Sequence, residues 1–200
     1  STPSNSSAAS DVYKRQDTLE VLEALKPLGG ILCVHCENGT LVDRLQQRVF
    51  DSGVTGPEGH PLSRPDVCEA EAISRLLYIA HLAGDAKVNV VHLSTKLGLE
   101  AIRSAKARGQ KNIYVETCPQ YLLLDDTRYK EEGDDGFAGA KYVMSPPLRK
   151  PADVAALREA LIGGEIDTIA TDHCSFNLHG QKDRGLSLIH ISEPTRLQLI

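Results

Sequence analysis

No stretch of the chain narrows its possible folds more than Val88-Asn89-Val90-Val91-His92-Leu93-Ser94, a β-branched run with a histidine where a helix-opening sequence begins. Short apolar runs bounded by polar residues read as buried parallel strands, whose C-terminal ends face the ligand crevice in α/β folds. The design recurs in Ile31-Leu32-Cys33-Val34-His35 and in Ile166-Asp167-Thr168-Ile169-Ala170-Thr171-Asp172-His173. Each run ends on a residue that can bind a metal or carry a proton. Alternation along a strand groups His92 with Val90 and Val88, His35 with Cys33 and Ile31, and Asp172 with Ala170 and Thr168. Those small, mostly apolar faces are expected to line the inside of a closed barrel.

Helical patterns separate the strands. Asp17-Thr18-Leu19-Glu20 has capping-box spacing, and Leu19, Leu22 and Leu25 form a stripe that ends at Pro27 and Gly29-Gly30. Asp66-Val67-Cys68-Glu69 is a second such box, followed by Ile73, Leu76, Leu77 and Ala80 and a stop at Gly84. Leu99, Ile102 and Ala105 make a third helix before Gly109, residues 112–116 a further strand, and Pro151 opens a helix that ends at Gly163-Gly164. Between residues 37 and 65 the pattern loosens to a short helix around 41–49 and a Gly/Pro-rich loop. The alternation of helix and strand predicts an α/β chain with a parallel sheet.

Both ends stand apart. Residues 1–16 are Ser-rich with no apolar period, and residues 11–16 and 186–196 resemble translated sequencing-adapter peptide, so the organised unit is expected to be residues 17–185. A net charge of −5 and few aromatics argue against a nucleic-acid surface, which needs a concentrated basic patch, and point to a small-molecule partner. No apolar run approaches the ~20 residues that cross a bilayer. Five scattered cysteines fit a reducing compartment better than a disulfide framework, which makes a cytoplasmic location the expectation.

A lone strand-end histidine is more often a hydrogen-bonded loop anchor than a ligand, but His35, His92 and Asp172 at matched strand ends form a set. Histidine nitrogen and carboxylate oxygen are ligand types for Zn²⁺ or a similar ion, which would acidify a water for hydrolysis of an unreactive amide. Cys33-Val34-His35-Cys36 offers a rival C-x-x-C reading; residues three apart on a strand point to opposite faces, so the two thiols are not expected to share an ion unless the strand ends early, and the chain has no second C-x-x-C. His60 reads as a loop-ordering residue and His81 as a surface or packing one.

Four motifs in order carry a resemblance: Val34-His35-Cys36-Glu37-Asn38-Gly39, Glu116-Thr117-Cys118-Pro119-Gln120-Tyr121, Met144-Ser145-Pro146-Pro147-Leu148-Arg149 and Thr171-Asp172-His173-Cys174-Ser175-Phe176. Together they resemble the dihydropyrimidinase/D-hydantoinase family of cyclic amidohydrolases. The resemblance implies a TIM-like β/α barrel with a two-zinc centre in which His35 and His92 bind one ion and Asp172 the other. It implies further that Asp172 shuttles a proton to the leaving amide nitrogen, that Ser145 contacts the ring amide through its backbone, and that the full-length parent is a homotetramer. Cys118-Pro119-Gln120-Tyr121 favours this branch over allantoinase and dihydroorotase, and the retained ligands argue against the non-catalytic dihydropyrimidinase-related proteins.

The family's first-strand His-x-His pair, its bridging carboxylated lysine and its oxyanion-holding tyrosine have no counterpart in the chain. Such a barrel has eight strands in roughly 250 residues, and four are legible here, so the chain is expected to be the C-terminal half of a barrel. Alone it is expected to be inactive, with Val88, Val90, Ala170 and Ile166 lacking the opposite wall.

Overall fold

The computed structural model describes residues 7–131, 138–173 and 177. In chain order these form α1 (Ser7–Leu25), β1 (Ile31–Val34), α2 (Gly39–Asp51), α3 (Gly59–Ser63), α4 (Asp66–Leu82), β2 (Lys87–Val90), α5 (Lys96–Ala107), β3 (Ile113–Thr117), α6 (Pro119–Leu123), α7 (Pro151–Ile162) and β4 (Thr168–Ile169). The strands pair in parallel in the order β1-β2-β3-β4, with Val34 opposite Val90 and Val90 opposite Val115. A sheet whose strand order follows the chain, each strand reached through a helical connection, is a segment of a β/α barrel.

Side-chain parity is where the structure departs from expectation. Val88, Val90, Ile113 and Val115 are buried, and they lie under Leu22 of α1, Ile73, Leu77 and Ala80 of α4, and Leu99, Ile102 and Ala105 of α5. The most apolar face is therefore the helix side of the sheet, at about 1.5–3 kcal/mol for each fully buried Val, Leu or Ile side chain. The opposite face carries Ile31, Cys33, Asn89, Tyr114 and Glu116, which are exposed or half-buried. The expectation that Val88, Val90 and Ile166 would lose an opposing wall fails for the same reason, since helices and not the far side of a barrel cover them.

Two capping boxes are also corrected. The helix around Leu19 begins at Ser7 and not at Asp17, because no glycine or proline interrupts residues 7–16. At Asp66 the N-cap is Pro65, with no side-chain cap, and Glu69 does not turn back to the helix start but points into the interior. The loose region contains a full helix, α2, capped by Asn38 Oδ1, which accepts from Leu41 N at 3.1 Å. Glycine has one clear packing duty: a Cβ on Gly98 would lie 2.9 Å from Glu69 Oε2, Ile73 Cδ1 and Leu93 Cδ1, so α5 seats this closely on α4 only without one.

Candidate active site at the strand ends

Beyond β1, β2 and β4 the chain places His35, His92 and Asp172. Among the described residues only three non-glycine residues have left-handed backbone, and His92 (φ 42°) and Asp172 (φ 46°) are two of them. Such conformations cost of order 1–3 kcal/mol and gather where a structure over-determines them for use. At His92 the turn has a visible effect. Val91 N donates to Val34 O and Leu93 N to Glu116 O, so the chain stays in the sheet on either side while His92 breaks the alternation that would leave it with Val88 and Val90. Its Nε2 lies 2.8 Å from Nδ1 of His35, with the rings edge to face.

The two imidazoles differ in environment. His92 is buried, and burial followed by the like charge of His35 pushes its pKa down to about 4, with the Asp172 carboxylate working the other way. Neutral imidazole is the ligand form. Asp172 also contributes, after burial, to raising the Cys118 thiol to about 12, which puts the carboxylate near the end of β3 as well as near His92. His35, its side chain 47% exposed, has Nε2 3.6 Å from Glu37 Oε2.

The donor chemistry suits part of a metal centre. His35 and His92 present facing ring nitrogens as close as two ligands of one ion, and zinc–nitrogen bonds of about 2.0–2.1 Å would need only a modest turn of the half-exposed His35 ring. His92 Nδ1 is buried and meets no hydrogen-bond partner on another of the described residues. Among the described residues no three His, Cys, Asp or Glu side chains lie close enough together to hold an ion. The structure thus brings His35 and His92 into contact and leaves Asp172 as a nearby charge. The end of the last motif, residues 174–176, and the adapter-like segment 186–196 lie outside the described residues. Cys33 is exposed and Cys36 buried, and both are free thiols; the strand ends at Val34, so Cys36 lies beyond it and the alternation of strand faces does not apply to the pair.

Behind the histidines sits a buried charge network that spacing did not reveal. Glu37 and Arg64 form an ion pair with side chains 2% and 3% exposed. Burial opposes ionisation of Glu37, but the His35 ring and the Arg64 guanidinium overcome it and hold the carboxyl at about 2. Glu69 accepts from Ser94 N and Oγ (3.0 and 2.8 Å) and from Thr95 N (2.8 Å) and Oγ1, just beyond His92. Arg149 donates through Nε to Ser94 Oγ at 2.9 Å and through Nη1 to the Arg64 carbonyl. Glu37 stands two residues after the strand-end His35, a local signal for its place, whereas Arg149 follows the Ser145 turn with no histidine near it in sequence.

The Ser145 turn is clamped from several sides. Tyr121 donates to Pro146 O at 2.6 Å, Tyr129 Oη accepts from Leu148 N at 2.8 Å, and His60 Nε2 donates to Met144 O at 2.7 Å. His60 is therefore the loop-ordering residue its surroundings suggested. Burial, then the Arg64 charge, pushes it from the ordinary 6.5 to about 3, and its Nδ1 is buried without a partner for a second proton. The unfolded chain takes up a proton that the folded one refuses between those values, so stability falls as pH drops below 6.5. At about 1.4 kcal/mol per unit, the loss by pH 5 is about 2 kcal/mol. Urea midpoints at pH 7 and pH 5 check this, with His60→Gln, which still donates to the Met144 carbonyl, expected to lose that share of the pH dependence. An identical pH response in the two proteins rules it out.

Comparison with known proteins follows the same lines. No family model matches the chain. The D-phenylhydantoinase of Escherichia coli O1:K1 is 44% identical over 169 residues, covering 83% of this chain and 35% of that protein. The crystal structure of dihydropyrimidinase from Brevibacillus agri NCHU1002 superposes with a TM-score of 0.79 at 41% identity, covering 86% of this chain and 37% of that one. A dihydroorotase from Campylobacter jejuni shares the fold at a TM-score of 0.53 and 18% identity. The chain spans about a third of the length of the relatives it matches. Sequence identity and strand order agree: the chain belongs to the dihydropyrimidinase/D-hydantoinase family of cyclic amidohydrolases.

Proposed function

We propose that the chain supplies part of the active site of a cyclic amidohydrolase that opens dihydropyrimidine or hydantoin rings to N-carbamoyl amino acids. The observation that carries this is the contact of His35 Nδ1 with His92 Nε2 beside Asp172, reached by a left-handed turn at each of the last two. On this reading the family segment is residues 17–185, and a centre of two zinc ions is completed by groups from the rest of a barrel. His35 and His92 would hold one ion and Asp172 would contribute to the other. The metal would supply Lewis acidity toward the ring amide and acidify a water. Asp172 then takes the proton of the attacking water and delivers it to the leaving amide nitrogen, while the backbone of the Ser145 turn pairs with the ring amide. A small neutral ring, a cytoplasmic location and a homotetrameric parent follow from the same reading. No helix among the described residues is long and apolar enough to cross a membrane.

The test is a hybrid in which this chain's matched 169-residue segment replaces its counterpart in the E. coli D-phenylhydantoinase. The hybrid is expected to hydrolyse dihydrouracil or a 5-substituted hydantoin with a higher kcat/KM than dihydroorotate. His35→Ala and His92→Ala should each lower its zinc content by atomic absorption. Preference for dihydroorotate, or full zinc loading in both histidine variants, would reverse the assignment.

A further inference from the structure

Arg149 lies four residues after Ser145, Ser94 two residues after His92, and Glu37 two residues after His35. One guanidinium joins the Ser145 turn to these two strand-end segments. Its Nε reaches Ser94 Oγ, which donates onward to Glu69; its Nη1 reaches the carbonyl of Arg64, whose own guanidinium holds Glu37. Arg149 is 6% exposed and Glu69 1% exposed, so these bonds form away from water, where charge-assisted hydrogen bonds are strong and geometrically demanding. The backbone is included as well, for Arg149 O accepts from Asp126 N at 2.8 Å. Two carboxyl side chains and two guanidiniums gather in the cluster; burial pushes the Glu69 carboxyl up while Arg149, Thr95 and Ser94 work the other way.

We propose that Arg149, acting through Ser94 on Glu69, is a positioning residue that sets the separation between the Ser145 turn and the His35–His92 pair. The proposal rests on the amidohydrolase reading of those residues for its catalytic consequence, but the mechanical coupling stands on the hydrogen bonds alone. A fork is needed because one planar group must satisfy Ser94 and the Arg64 carbonyl at once. Lysine carries the same charge as a single point and meets one of them. Arg149→Lys therefore separates geometry from charge.

The coupling is measured first in the 200-residue chain by amide hydrogen exchange. In Arg149→Lys, exchange at Ser94, Thr95, Asp126 and Leu148 should quicken together by about tenfold or more, the equivalent of one lost charge-assisted hydrogen bond. The sheet amides of Val88 and Val90 should keep their protection. Unchanged exchange at Ser94 and Thr95 would show that the segments are independent, and uniform acceleration through the sheet would show a merely structural role; either overturns the proposal. Should Arg149→Lys fail to fold, Ser94→Ala removes the hydroxyl between Arg149 and Glu69 while keeping both charges, and the same pattern is expected.

The hybrid enzyme supplies the catalytic readout. There Arg149→Lys should lower kcat/KM by about a hundredfold, as sub-ångström to 1 Å displacements of positioning groups do, with zinc content unchanged. Normal turnover in that variant overturns the positioning role. A hybrid that is inactive before any substitution instead overturns the reading of the site, and the exchange pattern then decides the coupling by itself.

Discussion

Asp172→Asn in the hybrid enzyme is expected to lower kcat by about 10²–10⁴-fold, the usual contribution of a positioned general acid–base group. The asparagine amide fills the same space at the same left-handed turn, a conformation that Asn tolerates as readily as Asp, so the backbone at φ 46° is not disturbed. What is lost is the capacity to accept a proton and release it. Much of the zinc should stay bound, because His35 and His92 are untouched. KM should change little, since the Ser145 turn and not the carboxylate is assigned to the ring. A kcat within threefold of the unaltered hybrid would remove Asp172 from the proton path. Loss of both zinc ions along with activity would instead mark it as a ligand whose proton role is secondary.

Arg64→Met should destabilise the 200-residue chain by about 3–5 kcal/mol, as removal of one partner from a buried ion pair does. The methionine fills much of the space but leaves Glu37, 2% exposed, without its cation. Its carboxyl, now held at about 2 by His35 and Arg64, would then rise under the burial that already pushes it upward, and the cost should shrink as pH falls and Glu37 takes a proton. The double variant Glu37→Gln/Arg64→Met should recover a large part of the loss, because the uncompensated charge is gone. Urea melts of the three variants decide the matter. A cost below about 1 kcal/mol for Arg64→Met would place the pair in the class of weak surface salt bridges despite its burial.

The strand ends were legible because β-branched runs closing on His or Asp are a local signal, and each of the three runs contains or leads into an observed strand. The choice of face was not, since alternation says which residues share a side but not which side meets the helices. In this sheet the side away from the helices carries Cys33, Asn89 and Glu116, and the continuous apolar surface of Val88, Val90 and Val115 belongs to the helices. His92 escaped parity altogether through its left-handed turn, a backbone event that a histidine codon does not announce. Glu69 shows a further limit. Its spacing from Asp66 fits a capping box, and the same spacing also turns a carboxylate inward to meet Ser94 and Thr95, 25 and 26 residues away. Long-range partners of a charged side chain are set by the packing of α4 on α5, which no local pattern records.

That division of the sheet into two faces bears on how such a protein can change over generations. Substitutions at Asn89, Tyr114 or Glu116 change the face away from the helices without touching the apolar layer beneath α4 and α5, so that face can vary at little cost in folding. The buried Arg149–Ser94–Glu69 relay is the exception to that freedom. Because it ties three otherwise separable segments together, drift at any one of its members is constrained by the other two, and lineages that acquire a new specificity should do so around the relay and not through it.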